Sequence, residues 1–299
     1  MTTGISISST SNLSTGQKIL VANAKIAFEP AAPDPDLITS ERMPTGHKQR
    51  DILTYARLAD ASALTEGVDL SQVEQLVTAA LSVTPSEHGI IVSLSKRLVR
   101  RQGDTNVISA AGRMIANSLR RIMAKDVITL YDSFTKSIVG ASVALDITYF
   151  RGANAYLMTD NSSGYGPAPM PLRAALHIEQ ISDIILDLTN TTGTTAGNAP
   201  FAAGLSADLV QRWWKGSDRL YGVQVFHSGN ISRDSSGDSK GAIFNADSMV
   251  IVPANEADPT EEVDNSLRVT EYGIFQEWGE GQRADSWGVE VYSDTAATV

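Results

Sequence analysis

The stretch Gly89-Ile-Ile-Val-Ser-Leu-Ser-Lys-Arg-Leu-Val-Arg-Arg101, together with the thirty residues 105–134 that follow it, decides the fold. Residues 89–94 are a short apolar run of strand type. Lys96, Arg97, Arg100 and Arg101 follow directly. From Thr105 to Phe134 apolar side chains recur at helical spacing, at Ile108, Ala111, Ile115, Leu119, Ile122, Val127, Leu130 and Tyr131. Asp104 or Thr105 can cap the start by accepting a backbone N–H bond. No proline interrupts the run, which predicts about 45 Å of helix. Helices average about 11–12 residues, so this one is long for a globular lobe. Its polar face carries Arg113, Asn117, Arg120, Arg121 and Lys125. Such a face is either simply solvated or a contact surface.

Toward the N-terminus, Val77–Thr84 reads as a strand closed by Pro85. Residues 52–85 form an extended excursion punctuated by Leu64-Thr-Glu-Gly67. Before it, residues 1–50 read as an arm: the first fifteen are rich in Ser, Thr and Gly. Prolines 30, 33 and 35 then favour extended, polyproline-like backbone. Such arms are ordered by a partner or not at all.

Toward the C-terminus, Val143–Phe150 is strand-like, and Pro167, Pro169 and Pro171 mark a linker. Pro171 suits the first turn of a helix carrying Ala174, Ile178, Ile181, Ile185 and Leu188 on one stripe. A Thr/Gly/Asn loop over 189–200 precedes a short helix, Ser206–Trp214. Strands are expected at Tyr221–Phe226, Ala242–Phe244 and Met249–Val252, with a polar loop from Arg233 to Gly241. Asn255–Asn265 is an acidic loop with Glu256, Asp258, Glu261, Glu262 and Asp264. Arg268–Trp278 and Ser286–Tyr292 are expected to close as a hairpin through Gly279–Arg283.

Composition bounds the function. The chain has 299 residues, 42% hydrophobic and 19% charged, enough apolar material for a core. No apolar run reaches membrane-spanning length, and the first residues lack a secretory pattern. With no cysteine, thiolate nucleophiles, disulfides and thiolate metal sites are excluded. His47, His88, His177 and His227 form no helical i, i+4 metal pair. The net charge is −10, yet residues 96–125 hold eight Lys/Arg against one acid. This is an acidic subunit with one basic stripe, not a chain built throughout for nucleic acid.

No phosphate loop or dinucleotide fingerprint occurs. Gly140-Ala-Ser-Val-Ala144 lacks the final glycine of a nucleophile elbow. Gly237-Asp-Ser-Lys-Gly241 has no helix behind it to complete an anion site. Residues 256–264 lack calcium-loop spacing and read as a solvated loop or a charge partner for a neighbouring subunit. No catalytic, cofactor or metal residue is expected.

The order of these parts resembles the major capsid protein family of tailed bacteriophages, the Hong Kong 97-like fold. The resemblance rests on the arm, on the excursion with Leu64-Thr-Glu-Gly67, and on residues 89–101 leading into the long helix. It continues through Tyr221-Gly-Val-Gln-Val-Phe-His-Ser228, Lys240-Gly-Ala-Ile-Phe244, Leu267-Arg-Val-Thr-Glu-Tyr-Gly-Ile-Phe275 and Gly288-Val-Glu-Val-Tyr292. It implies an α+β fold with an N-terminal arm (1–51), an extended loop (52–85) and a peripheral domain (86–149 and 255–299). In that domain, residues 105–134 are the spine helix, and residues 150–254 form an axial domain.

The resemblance further implies hexamers and pentamers of an icosahedral shell around double-stranded DNA. The virion would assemble in the host cytoplasm, with no cofactor, no enzymatic activity and no membrane. Arg100, Arg101, Arg113, Arg120, Arg121 and Lys125 become candidate intersubunit or lumen-facing residues, touching DNA only weakly. The acidic residues of 256–264 become candidate intersubunit contacts. A separate scaffolding protein, a portal and decoration proteins are the implied partners. No lysine lies between Lys48 and Lys96, so no isopeptide cross-link is expected from the extended loop. The alternatives are an encapsulin-type compartment, told apart by a neighbouring cargo gene, and an α/β enzyme, told apart by a small compact particle.

Overall fold

The computed structural model describes residues 32–58, 60–61, 63, 66–67, 74–102, 104–159, 165–189, 219–255 and 257–295. The strand expected at 89–94 is the centre of a ten-residue strand, Ser86–Ser95 (β4). The basic run forms its own helix, Lys96–Gln102 (α2). The long helix is Asp104–Thr129 (α3), continued by a 3-10 turn, Leu130–Ser133. Ala111, Ile115, Leu119, Ala124, Val127 and Tyr131 are its buried stripe. Ile122, expected in that stripe, lies at its edge and is exposed.

Two sheets flank this helix. The first is organised by Val269–Gln282 (β12), a fourteen-residue strand. Along one edge β12 pairs with β4 over ten residues, from Ser95 against Val269 to Ser86 against Trp278. Along the other it pairs with Asp258–Asp264 (β11) and with Met249–Pro253 (β10). Thr39–Ser40 (β1) adds in parallel to β10. The second sheet has the order β5-β13-β9-β6-β8-β7. Those strands are Ser137–Val139 (β5), Gly288–Asp294 (β13), Asp238–Asn245 (β9), Leu172–Leu176 (β6), Val223–His227 (β8) and Arg219–Leu220 (β7). Helices Ile147–Met158 (α4) and Ile178–Thr189 (α5) pack on it through Phe150, Leu157, Ile181 and Ile184. The inner stripe of α3 packs with Phe244, Met249 and Trp278, joining both sheets to one core.

Five expectations are corrected. Residues 143–150 are not a strand. Asp146 caps α4 by accepting the Tyr149 N–H at 2.9 Å, and Phe150, Ala153, Asn154 and Leu157 form its buried stripe. Pro171 does not open a helix; it precedes β6, whose continuous burial marks a central strand. The acidic loop is strand β11. The expected hairpin does not form: β12 and β13 lie in different sheets, because β13 pairs with β9 and β5. β5 and β13 sit in the six-stranded sheet and β10 in the five-stranded one. Finally, Pro33–Leu37 is a helical turn (Asp34–Leu37, α1) and not extended backbone. Pro35 is tolerated there because the first turn has no N–H bond to lose. The helix expected at 206–214 lies outside the described residues.

Candidate functional site

Three surfaces stand out, and each begins from a short piece of sequence. The first is a ribbon made by Arg50–Tyr55 (β2) and Thr78–Val83 (β3), antiparallel over six pairs. At its base Ile52 and Val83 pack with Met43, Val250 and Val252. Gly279 and Gly281 face this base. A Cβ on Gly279 would come within 2.8 Å of Val83, and one on Gly281 within 3.0 Å of Leu81. Two glycines at alternate positions of β12 let the ribbon seat directly on the sheet. Farther out, Leu53, Tyr55, Leu58, Leu76 and Val77 are all more than half exposed. A two-stranded ribbon is marginal alone, and an apolar tip in water costs it further.

The second surface is the root of the arm, residues 32–43. Residues 34–43 lie on their own chain. Asp34 is fully buried, and its carboxylate accepts hydrogen bonds from Tyr131 Oη at 2.8 Å and Ser228 Oγ at 2.7 Å. Burial pushes the Asp34 carboxyl up, against the pull of those two bonds. Burial and the Asp34 charge together push the Tyr131 phenol well above its usual range. Arg120 donates to Ala32 O at 3.2 and 3.1 Å and pairs with Asp36. Arg173 donates to Leu37 O. Glu41 and Met43 continue the seam with backbone bonds to Ile251 and Pro253. These partners lie far apart in sequence, so sequence reasoning could not find them.

The third surface is the set of charged side chains spread along α2, α3 and β11. Arg100 and Arg101 are exposed on α2. Arg113 is exposed and donates to Ser109 Oγ at 3.4 Å. Arg120 is committed to the arm, so the expected basic row is divided. Arg121 is half-buried and partnered. Lys125 lines a cleft at the far end of α3 with Asp132, Asp234, Asp238 and Lys240. There Lys240 pairs with Asp132 and lies 3.2 Å from the buried Glu290. Lys240 holds the Asp132 carboxyl below its usual range, and Asp132 raises Lys240 in turn. Of the acidic candidates, Asp258, Glu261 and Glu262 are exposed on β11. Asp264 accepts from Ser266 and Leu267 to close the turn into β12, and these bonds lower its carboxyl. Glu256 lies outside the described residues.

Among the described residues no group of three or more His, Asp or Glu is placed to hold a metal. Among the described residues no helix is long and apolar enough to cross a membrane. What the geometry offers is surface: an apolar ribbon, an arm clamped at its root, and opposed charges on one sheet.

Comparison with known proteins agrees. The phage capsid protein family matches residues 78–299. The chain belongs to the phage capsid protein family. Solved structures share its fold at low sequence identity. The head protein of Helicobacter pylori bacteriophage KHP40 superposes with a TM-score of 0.67 at 9% identity, over 98% of each chain. The capsid of Ralstonia phage GP4 gives 0.67 at 10% identity, over 88% of each chain. Mycobacterium phage Che8 gives 0.60 at 12% identity, over 89% of this chain and 92% of that one. No curated protein matches the chain in sequence. The capsid protein therefore has the Hong Kong 97-like α+β fold expected from its sequence. Its role as the major capsid protein that forms the shell follows from the family, and that role is structural.

Proposed function

We propose that this capsid protein assembles as hexamers and pentamers into a closed icosahedral shell around packaged double-stranded DNA. The five-stranded sheet with α2 and α3 serves as the peripheral lobe. The six-stranded sheet with α4 and α5 serves as the axial lobe. The ribbon of β2 and β3 is the extended loop that laps over the next subunit.

One observation carries the reading: the ribbon's five large apolar side chains are exposed beyond an anchored base. A neighbour that covers them removes apolar surface from water, at roughly 25 cal/mol per Å². Shell subunits of this shape need interfaces far larger than about 2,000 Å² per pair.

A separate scaffolding protein, a portal and decoration proteins complete the particle, which forms in the host cytoplasm. The overall charge of −10 favours loose, sequence-independent contact with DNA. Arg100, Arg101, Arg113 and Lys125 serve neighbouring chains or that weak contact. Electron microscopy of the expressed chain, alone and with its neighbouring gene products, tests the proposal. Hollow polyhedral particles are expected. A small globule under every condition would overturn it.

A further inference from the structure

The sheet organised by β12 carries opposite charges at its two ends. Ser95 pairs with Val269 at one end and Glu87 with Glu277 at the other. Eight residue steps at about 3.3 Å separate these pairs by roughly 26 Å. At the Ser95 end, α2 exposes Arg97, Arg100 and Arg101. Lys96 beside them is held by Asn265 Oδ1 at 2.9 Å.

At the Glu87 end there is a cleft of about 400 Å³ lined by Glu87, Asp258 and Glu277 with Asn255, Phe275 and Gln276. Among the described residues no Lys or Arg lines it, and Asn255 Nδ2 donates to Glu277 Oε2 at 3.2 Å. Paired residues share a face of a sheet, so Glu87, Glu277, Phe275 and Asp258 look out on the same side. On that side the Phe275 ring lies across Gly89, and Ile91 beside Gly273 is 53% exposed.

The flanking strand β11 is exposed along nearly its whole length, and its outer edge has no partner strand among the described residues. An acidic cleft with an aromatic ring in its wall suits guanidinium groups, which pair with carboxylates and stack on aromatic faces. The rigid sheet prevents the chain's own arginines from reaching it.

We propose that Arg97, Arg100 and Arg101 of one copy seat in the Glu87–Asp258–Glu277 cleft of the next copy. The contact joins two different patches and is head-to-tail, so repetition with a rotation closes a ring of subunits. This inference rests on the shell reading above and names one of the contacts that holds the shell together.

The test uses the full chain, with shell yield read by sedimentation and electron microscopy. R97E/R100E/R101E and E87K/D258K/E277K are each expected to lower shell yield about tenfold or more, since facing like charges cost several kcal/mol. The chain carrying both sets is expected to recover most of the yield. R97Q/R100Q/R101Q, a milder change, is expected to lower yield and to remove the salt sensitivity of assembly. Circular dichroism confirms that each variant is folded. Normal yield from either reversal overturns the pairing, as does failure of the folded double set to recover. Normal assembly of the arginine variants together with loss of shells in chelator would assign the cleft to a cation, and overturns it too. If the unaltered chain closes no particle even with its neighbouring gene products, the shell reading itself falls, and the pairing with it.

Discussion

Asp34 shows how much one residue can bind together. Its carboxylate joins the arm to the end of α3 through Tyr131 and to the loop after β8 through Ser228. A buried carboxylate that loses a donor keeps its full desolvation cost. Tyr131→Phe is therefore expected to destabilise the subunit by about 1–3 kcal/mol and to expose residues 34–43 to protease. Thermal melting and limited proteolysis would read the two effects. Unchanged melting would show that the bond contributes nothing.

Asp183 on α5 gives a pH prediction. Burial, then Glu179 and Asp294, push its carboxyl up to about 6, against a backbone bond from Leu145. Between the ordinary value of 3.8 and about 6 the folded chain holds a proton that the unfolded chain releases. Stability is thus lost as pH rises through that window and is level above it. Asp183→Asn should raise the melting temperature at neutral pH and flatten the profile between pH 4 and 6.

At the scale of elements, long periodic segments were legible and short ones were not. The helix stripe from Ala111 to Tyr131 repeats often enough to fix both element and buried face. Val143–Phe150 offers only a few residues, and β-branched side chains imitate a strand there. The Asp146 cap and the Phe150-Ala153-Asn154-Leu157 spacing were the better signals. The acidic residues of β11 suggested a loop because charge discourages strands; here it marks an edge that must not pair at random.

The ribbon yields a further prediction. Gly279→Ala puts a methyl group 2.8 Å from Val83 and 3.0 Å from the Thr84 carbonyl. Displacing the ribbon's base should cost about 1–3 kcal/mol and speed hydrogen exchange over residues 78–83. Protection equal to the parent chain would contradict seating of the ribbon on β12.

At the scale of the whole molecule, charge and topology act together. The basic stretch 96–125 carries +7 against −17 on the rest of the chain, which leaves the net −10, and the fold further divides it. Arg120 holds the arm, Lys125 sits at the far cleft, and the arginines of α2 stand apart. The extended loop has no lysine between Lys48 and Lys96, so purified particles should run on a denaturing gel as monomer. A ladder of covalent oligomers joined through that loop would refute this.

The sequence by itself determined the long helix after a basic run, the strands β3, β4, β8, β10 and β12, and the absence of thiolate chemistry. Each of these depends on local periodicity or composition, which a single chain displays directly. Only the tertiary structure decided that β12 and β13 part into different sheets, that Asp34 meets Tyr131 and Ser228, and that the arginines and carboxylates stand at opposite ends of one strand pair. Those facts depend on pairings between residues far apart in the chain. Their register is set by the total burial of the fold, not by any local pattern.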